Sequence, residues 1–334
     1  MACERIDLWY LVFVATLVGY LLIKNITNNR NATKYFIFGM ISGLYFDIFS
    51  TMYRYYVYSA AMFDNFYGIP ITITIAEGFS IAIIIMVLEY FFTSKDFRDK
   101  TVVITGGTKG IGKELALQFI EKGANIIILS RTKPDKTLKD AVFIRCDVSN
   151  LNQVRNAVKN IKEIDILINN AGVGFLQESA KIGYGKIRRM IETNYYGSVY
   201  VTRELLSKIK RRKGTIVFMS SLSGKLVTPR FGAYCASKFA ITAFASDLEK
   251  EIGNVLLVYP GPVKTRFWEH SGRFTRELFF IEPQRAARAI IRGISKKQKE
   301  VYVPYWVRYV VLIGALIPDL VYKIMKAVYI EKEL

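Results

Sequence analysis

The chain has 334 residues, more than one typical domain needs, and 51% of them are hydrophobic and 14% aromatic, so part of it is expected to lie outside water. Its 47 lysines and arginines against 28 acidic residues give a net charge of +19, which suits an anionic membrane surface or a phosphate-bearing ligand; without a nucleic-acid-binding module, nucleic acid is set aside as a partner. A single histidine, His270, removes Ser-His-Asp and Cys-His hydrolase chemistry, and Cys3, Cys146 and Cys235 are too scattered for a disulfide framework or a metal site.

Leu8 to Ile23 is uncharged and apolar, close to the roughly 20 residues that span a bilayer, and lacks the basic start of a signal peptide. Tyr35 to Ser50 and Ile69 to Phe92 are further apolar runs, so residues 1–94 are expected to form an all-α transmembrane segment of about three helices, with spans near 8–23, 35–50 and 69–92. Lys24, Arg30 and Lys34 follow the first run and Lys95, Arg98 and Lys100 the third, which puts both basic clusters on one side. By the positive-inside rule that side is cytoplasmic, giving a multi-pass membrane protein whose remaining chain faces the cytosol. The sequons at Asn25 and Asn31 then stay unglycosylated. Asp47 and Glu77 would be ionisable groups within the bilayer, and Tyr53 to Tyr58 an interfacial aromatic belt.

Ser94-Lys95-Asp96 leads into Thr101 to Thr105, a β-branched run that predicts a buried strand. Gly106, Gly110 and Gly112 follow, then a helical run from Lys113 to Lys122. Strand, glycine loop and helix come in the order that lets a backbone approach a pyrophosphate at a helix N-terminus, though the spacing is not GxGxxG. The next strand, Asn125 to Leu129, ends in Ser130-Arg131 with no acid to hold an NAD ribose. Arg131 and Lys109 suit a 2′-phosphate instead, so NADPH/NADP+ is the expected cofactor and NAD the alternative.

Further strands are expected at Ala141 to Arg145, Ile164 to Ile168, Thr215 to Met219 and Asn254 to Tyr259, leading into Cys146-Asp147-Val148, Asn169 to Gly172, Ser220-Ser221 and Pro260 to Thr265. Helices between them, one of them long and carrying Asn194, make this a parallel, doubly wound α/β sheet of Rossmann type. Ser221, Tyr234 and Lys238 are spaced for proton delivery to a ketone. Residues four apart share a helix face, so Lys238 is expected to sit beside Tyr234 and favour its phenolate.

Together TGGTKGIG, NNAG, Asn194, Ser221, the pentapeptide Tyr234 to Lys238 and PGPVKT resemble the short-chain dehydrogenase/reductase family from Lys100 to about Val303. The resemblance implies Tyr234 as acid/base, Lys238 on the nicotinamide ribose, Ser221 on the substrate oxygen and Asn194 positioning a water that passes protons to Lys238. It also implies cofactor contacts from Thr105, Gly106, Thr108, Lys109, Gly110, Ile111, Gly112, Arg131, Asp147, Val148, Asn170, Ala171, Gly172, Pro260, Gly261, Val263 and Thr265, with Tyr234 and Lys238, and no metal. One departure is expected: only a turn fits between Arg131 and Ala141, which leaves one sheet face thin near the adenosine end.

Residues 95–303 thus read as an NADP-binding catalytic domain. Arg266 to Ile281, with Phe267, Trp268, Phe274, Phe279 and Phe280, reads as an apolar substrate lid. Residues 304–334 form an apolar tail, broken at Pro318-Asp319, that suits an amphipathic membrane-surface element. The expected activity is NADPH-dependent reduction of a keto or aldehyde group on a hydrophobic, lipid-like substrate. Family members acting on 3-ketodihydrosphingosine, retinoids or 3-ketoacyl thioesters are the models, with membrane lipid as partner and a homo-oligomer admitted. The alternatives are a catalytically silent, membrane-tethered NADP-binding scaffold or sensor, and a bifunctional protein whose N-terminal bundle carries its own lipid-related activity.

Overall fold

The computed structural model describes residues 97–265, 267–268 and 280–329, and in the N-terminal part residues 17, 20–21, 65–66, 69–70 and 79–84. The chain divides into two compact units, Met1–Ser94 and Lys95–Leu334. In the first, Leu17, Tyr20, Leu21 and residues 79–84 are helical, and Tyr20 packs on Phe79 with ring centroids 5.0 Å apart. Asn65–Phe66 pairs antiparallel with Ile69–Pro70, which corrects the expected start of the third span: residue 69 opens no helix. The reason is local, since the residue before a proline is pushed out of the helical region. No helix among the described residues is long and apolar enough to cross a membrane. Most of the spans at 8–23, 35–50 and 69–92, with Asp47, Glu77, the Tyr53 to Tyr58 stretch and both sequons, lie outside the described residues. So do His270, Phe274 and Phe279 of the expected lid.

The second unit is built on a parallel sheet of seven strands among the described residues: β1 (Thr101–Thr105), β2 (Asn125–Ser130), β3 (Val142–Arg145), β4 (Ile166–Asn169), β5 (Thr215–Met219), β6 (Val255–Pro260) and β7 (Glu300–Val303). Their spatial order is β3-β2-β1-β4-β5-β6-β7, with the reversal of direction between β1 and β4. Both faces are covered, so the strands read as continuous apolar runs. Side chains alternate between the two cores: Val102 and Ile104 point to one, Val103 to the other. Helices α1 (Gly110–Glu121) and α6 (Pro283–Ser295) cover the first face, and α2 (Leu151–Val158), α4 (Gly197–Arg211) and α5 (Gly232–Ile252) the second. Asp165 ties the amino-terminal edge, accepting from the Thr101 N–H at 3.0 Å, Lys100 Nζ at 3.1 Å and Arg212 Nη2 at 3.2 Å.

Between β2 and β3 the chain has only a 3-10 turn, Lys136–Leu138, whose Leu138 fills the core where a crossover helix would lie. Val142 on β3 is left 59% exposed. The long helix expected around Asn194 is three pieces, with a π-helical stretch, Ile191–Tyr196, between α3 (Tyr184–Met190) and α4. The tail forms α7 (Val307–Leu316) and α8 (Pro318–Tyr329), which break at Ile317 because Pro318 cannot continue the first helix. Val307, Val321 and Met325 pack on Leu222 and Leu226, while Leu312, Leu316, Leu320 and Ile324 face outward.

Candidate active site

Every strand from β1 to β6 delivers polar or glycine residues at its carboxyl end to one cavity of about 600 Å³, the place where open parallel sheets bind ligands. At one end Gly106, Thr108, Lys109, Gly110 and Ile111 form the loop before α1, faced by Ser130, Arg131 and Thr132 after β2 and by Cys146, Asp147 and Val148 after β3. The Thr108 hydroxyl is 3.2 Å from that of Ser130 and 3.3 Å from that of Thr132, which pins loop to strand end. Arg131 Nη1 lies 3.8 Å from Asp147 Oδ2.

The loop's path depends on missing side chains. Gly106 has φ +64°, and a Cβ on Gly112 would stand 2.4 Å from Asn170 Nδ2 and 2.6 Å from the Gly106 carbonyl oxygen. Asn170 fills that space, its Nδ2 donating to the carbonyls of Thr105 at 2.9 Å and Gly106 at 3.1 Å. Thr105 Oγ1 accepts from the N–H groups of Asn170 and Ala171 at 2.9 and 3.0 Å. Thr105 and Gly112 therefore shape the loop from behind, and neither lines the cavity as the sequence reading expected. A glycine-lined turn opening onto a helix N-terminus, with Arg131 and Lys109 beside it, fits a dinucleotide.

At the other end α5 presents Tyr234 and Lys238, both buried. Lys238 Nζ donates to the Met219 carbonyl at 2.7 Å and stands 5.7 Å from the centre of the Tyr234 ring. Burial pushes the lysine down to about 8. Burial also pushes the Tyr234 phenol above its ordinary range, opposed by a hydrogen bond with Ser221. Lys238 is not among the causes of that shift: its ammonium lies over the ring, and loss of water around the hydroxyl dominates.

Of the three serines after β5, Ser220 is taken by Thr242, at 2.7 Å, and Ser223 by Thr228, at 2.7 Å. Ser221 faces the tyrosine, with its Oγ 3.4 Å from the Pro260 carbonyl. Asn194 lies behind the wall. Its Oδ1 accepts from the Val173 N–H at 2.8 Å, and its Nδ2 donates to the Val173 carbonyl and to Ser237 Oγ, each at 2.9 Å. It holds the loop that follows Gly172 rather than facing the cavity, and the π-helical turn aims it there. Ala171, Gly172, Pro260, Gly261, Val263 and Thr265 line the cavity between the two ends.

An aromatic box surrounds the tyrosine. Phe231 lies 4.8 Å from its ring centre and Phe267 5.6 Å, while Trp268 stacks on Phe231 at 6.1 Å and donates from Nε1 to the Val263 carbonyl at 2.8 Å. Sequence reasoning found Phe267 and Trp268 through their aromatic run. It missed Phe175, Arg189, Thr228, Phe231 and Met325, which line the same end from four separate segments and carry no motif.

Residues 100–275 match the family model described as short chain dehydrogenase, and the chain belongs to that family. It is an NAD(P)-dependent oxidoreductase acting on CH–OH groups. Among its relatives are a Pinus massoniana protein named 11-beta-hydroxysteroid dehydrogenase, 31% identical over 68% of this chain and 73% of its own length, and the Xenopus laevis dehydrogenase/reductase SDR family member 7B, 32% identical over 68% and 80%. Among solved structures, a Burkholderia cenocepacia short chain dehydrogenase in complex with NADP aligns with TM-score 0.62 at 22% identity, over 69% of this chain and 99% of that one. A Burkholderia phymatum short chain dehydrogenase/reductase in complex with NAD aligns at 0.60 and 20% identity, over 68% and 96%. These two likenesses carry the fold.

Proposed function

We propose that the protein is a membrane-associated, NADPH-dependent reductase of a ketone or aldehyde on a hydrophobic, lipid-like substrate. The observation that carries this reading is the meeting of the Ser221 hydroxyl, the Tyr234 phenol and Lys238 inside an aromatic box, in one cavity with a glycine loop flanked by Lys109 and Arg131. Bound NADPH supplies a hydride to the carbonyl carbon. Ser221 hydrogen-bonds the carbonyl oxygen and fixes it against Tyr234. Tyr234 would give that oxygen its proton as the carbonyl carbon is reduced. A phenol raised by burial is held protonated, which suits a donor. Lys238, near 8, can return a proton close to neutral pH.

Lys109 and Arg131 would hold the 2′-phosphate, which favours NADPH over NADH. Asp147 and Val148 would flank the adenine, and Val263 and Thr265 the carboxamide. Phe231, Phe267 and Trp268 supply apolar walls suited to a lipid or sterol body, and one relative's name carries a hydroxysteroid. The exposed Leu312, Leu316, Leu320 and Ile324 on α7 and α8, with the apolar runs in residues 1–94, support attachment to a membrane with residues 95–303 on its cytoplasmic face.

The test is NADPH oxidation across long-chain ketones, retinoids and keto-sphingoid bases by the full chain in detergent. Tyr234→Phe is expected to lose at least about a hundredfold in kcat while still binding NADPH. Unchanged turnover in that variant removes the proton donor from the mechanism, and turnover absent from the unaltered chain favours the scaffold reading.

A further inference from the structure

The substrate end carries a cation that this reaction does not use. Arg189, near the end of α3, lines the cavity beside Phe175, its guanidinium carbon 5.8 Å from the centre of that ring. Phe175 packs in the cluster that holds Tyr234 and Phe231, so Arg189 stands on the ketone's side and not beside the glycine loop. Among the described residues its guanidinium makes no ion pair and no hydrogen bond.

One turn earlier, Lys186 Nζ lies 5.6 Å from the same ring and donates to Gln177 Oε1 at 3.1 Å. Two cations thus lie against one aromatic ring, and among the described residues neither makes an ion pair with a carboxylate. The nearby acid, Glu178, is taken by Lys181 at 2.6 Å. That hydrogen bond, with the charges of Lys181, Arg230 and Lys326, holds its carboxyl below the usual range, so it is already over-supplied with positive charge. Like charges gathered at a cavity mouth cost energy unless an anion joins them. A guanidinium stacked on a ring still offers its in-plane N–H groups, the geometry that grips a carboxylate or phosphate with two parallel bonds.

We propose that Arg189, with Lys186 beside it, recognises an oxyanion on the substrate: the ketone sits on an apolar body that also carries a carboxylate or phosphate group, held at the mouth while the carbonyl reaches Tyr234. This rests on the reductase reading and narrows its substrate class. A free keto-sphingoid base, a cation, is repelled at this point, and a neutral ketone gains nothing from it.

The test uses the full chain in neutral detergent with three probes: a keto fatty acid, its methyl ester and a keto-alkyl phosphate. Binding is read by titration calorimetry and turnover by NADPH oxidation. Both anionic probes are expected to bind about tenfold more tightly than the ester, the scale of one charge-assisted hydrogen-bond pair at a half-open site. In Arg189→Ala the acid-to-ester ratio is expected to fall to near one, and Arg189→Lys to restore part of it. Equal affinity for acid and ester in the unaltered chain, or a ratio that survives Arg189→Ala, overturns the proposal. A parallel arm adds phosphatidylcholine vesicles with and without phosphatidylserine. If Arg189→Ala changes only adsorption to the anionic vesicles, the residue serves lipid headgroups and the substrate assignment falls. Turnover of the ester through Tyr234 without any preference for the acid leaves the reductase reading standing and this inference defeated. Arg189-dependent binding of the acid without NADPH oxidation does the reverse.

Discussion

The two ends of the cavity are built by different means. The glycine-loop end comes from chain that leaves adjacent strands, β1, β2 and β4, and its shape is set by backbone: a left-handed Gly106, a Gly112 with no room for a Cβ, and an Asn170 amide bonded to two carbonyls. The Tyr234 end comes from side chains of distant segments, Phe175, Arg189, Phe231, Phe267, Trp268 and Met325. Backbone construction tolerates no substitution but is indifferent to what lies beyond it. Side-chain construction can be remodelled one residue at a time, so one chemistry can be fitted to many substrates.

That contrast gives ordered expectations. Among changes to the cavity walls the largest effect should come from Gly112→Ala, whose new methyl must displace Asn170 or the Gly106 carbonyl. Overpacking of this kind costs about 1–3 kcal/mol, so a lower melting temperature and roughly tenfold weaker NADPH binding are expected by thermal unfolding and fluorescence titration. Phe267→Ala is the mirror experiment, with the KM for a long-chain ketone rising several-fold and NADPH affinity held. If the two variants have the same effect on both ligands, the ends are not independent.

Arg131→Ala should come next, raising the KM for NADPH by about tenfold while leaving NADH nearly unaffected, as expected for one lost charge-assisted contact to a phosphate. Its existing partner, Asp147, lies at 3.8 Å, and because Arg131 itself is half-exposed the pair offers weak competition. Equal loss with both cofactors would show that Arg131 does not read the phosphate.

A separate expectation, on stability rather than binding, concerns Lys238. Its folded-state value, about 8, lies below the ordinary 10.5 because burial disfavours the charge. Below pH 8 both states hold the proton and the full burial cost is present. Between about 8 and 10.5 only the unfolded chain holds it, so stability rises with pH through that window. Lys238→Met should remove that slope relative to the unaltered chain, measured by denaturant unfolding at several pH values; an identical slope in the variant would assign it to another group.

The same contrast explains what the sequence disclosed. The strands at 101–105 and 215–219, the glycine loop, Arg131 and the Ser221, Tyr234 and Lys238 spacing were legible because neighbours in the chain remain neighbours in the fold. The turn between β2 and β3 was legible from length alone. The π-helical turn that aims Asn194 inward was not, because nothing in Ile191 to Tyr196 breaks a helical pattern. Nor was the raised Tyr234 phenol, since spacing locates a charge but not the water that burial removes. Arg189 looked like one more cation on a basic chain, and Met325 like part of an apolar tail. Only tertiary packing brings them to the cavity.

Met325 has a consequence for how the enzyme is made. The cavity's walls run from Gly106 to Met325, so a chain emerging from the ribosome completes its glycine loop early and its ketone wall only after nearly all of the second unit has been synthesised. Domains acquire structure as they are translated, and contacts between distant segments form late. A nascent chain is therefore expected to gain a grip on dinucleotide before it can enclose a ketone, and translation would finish the substrate chamber last.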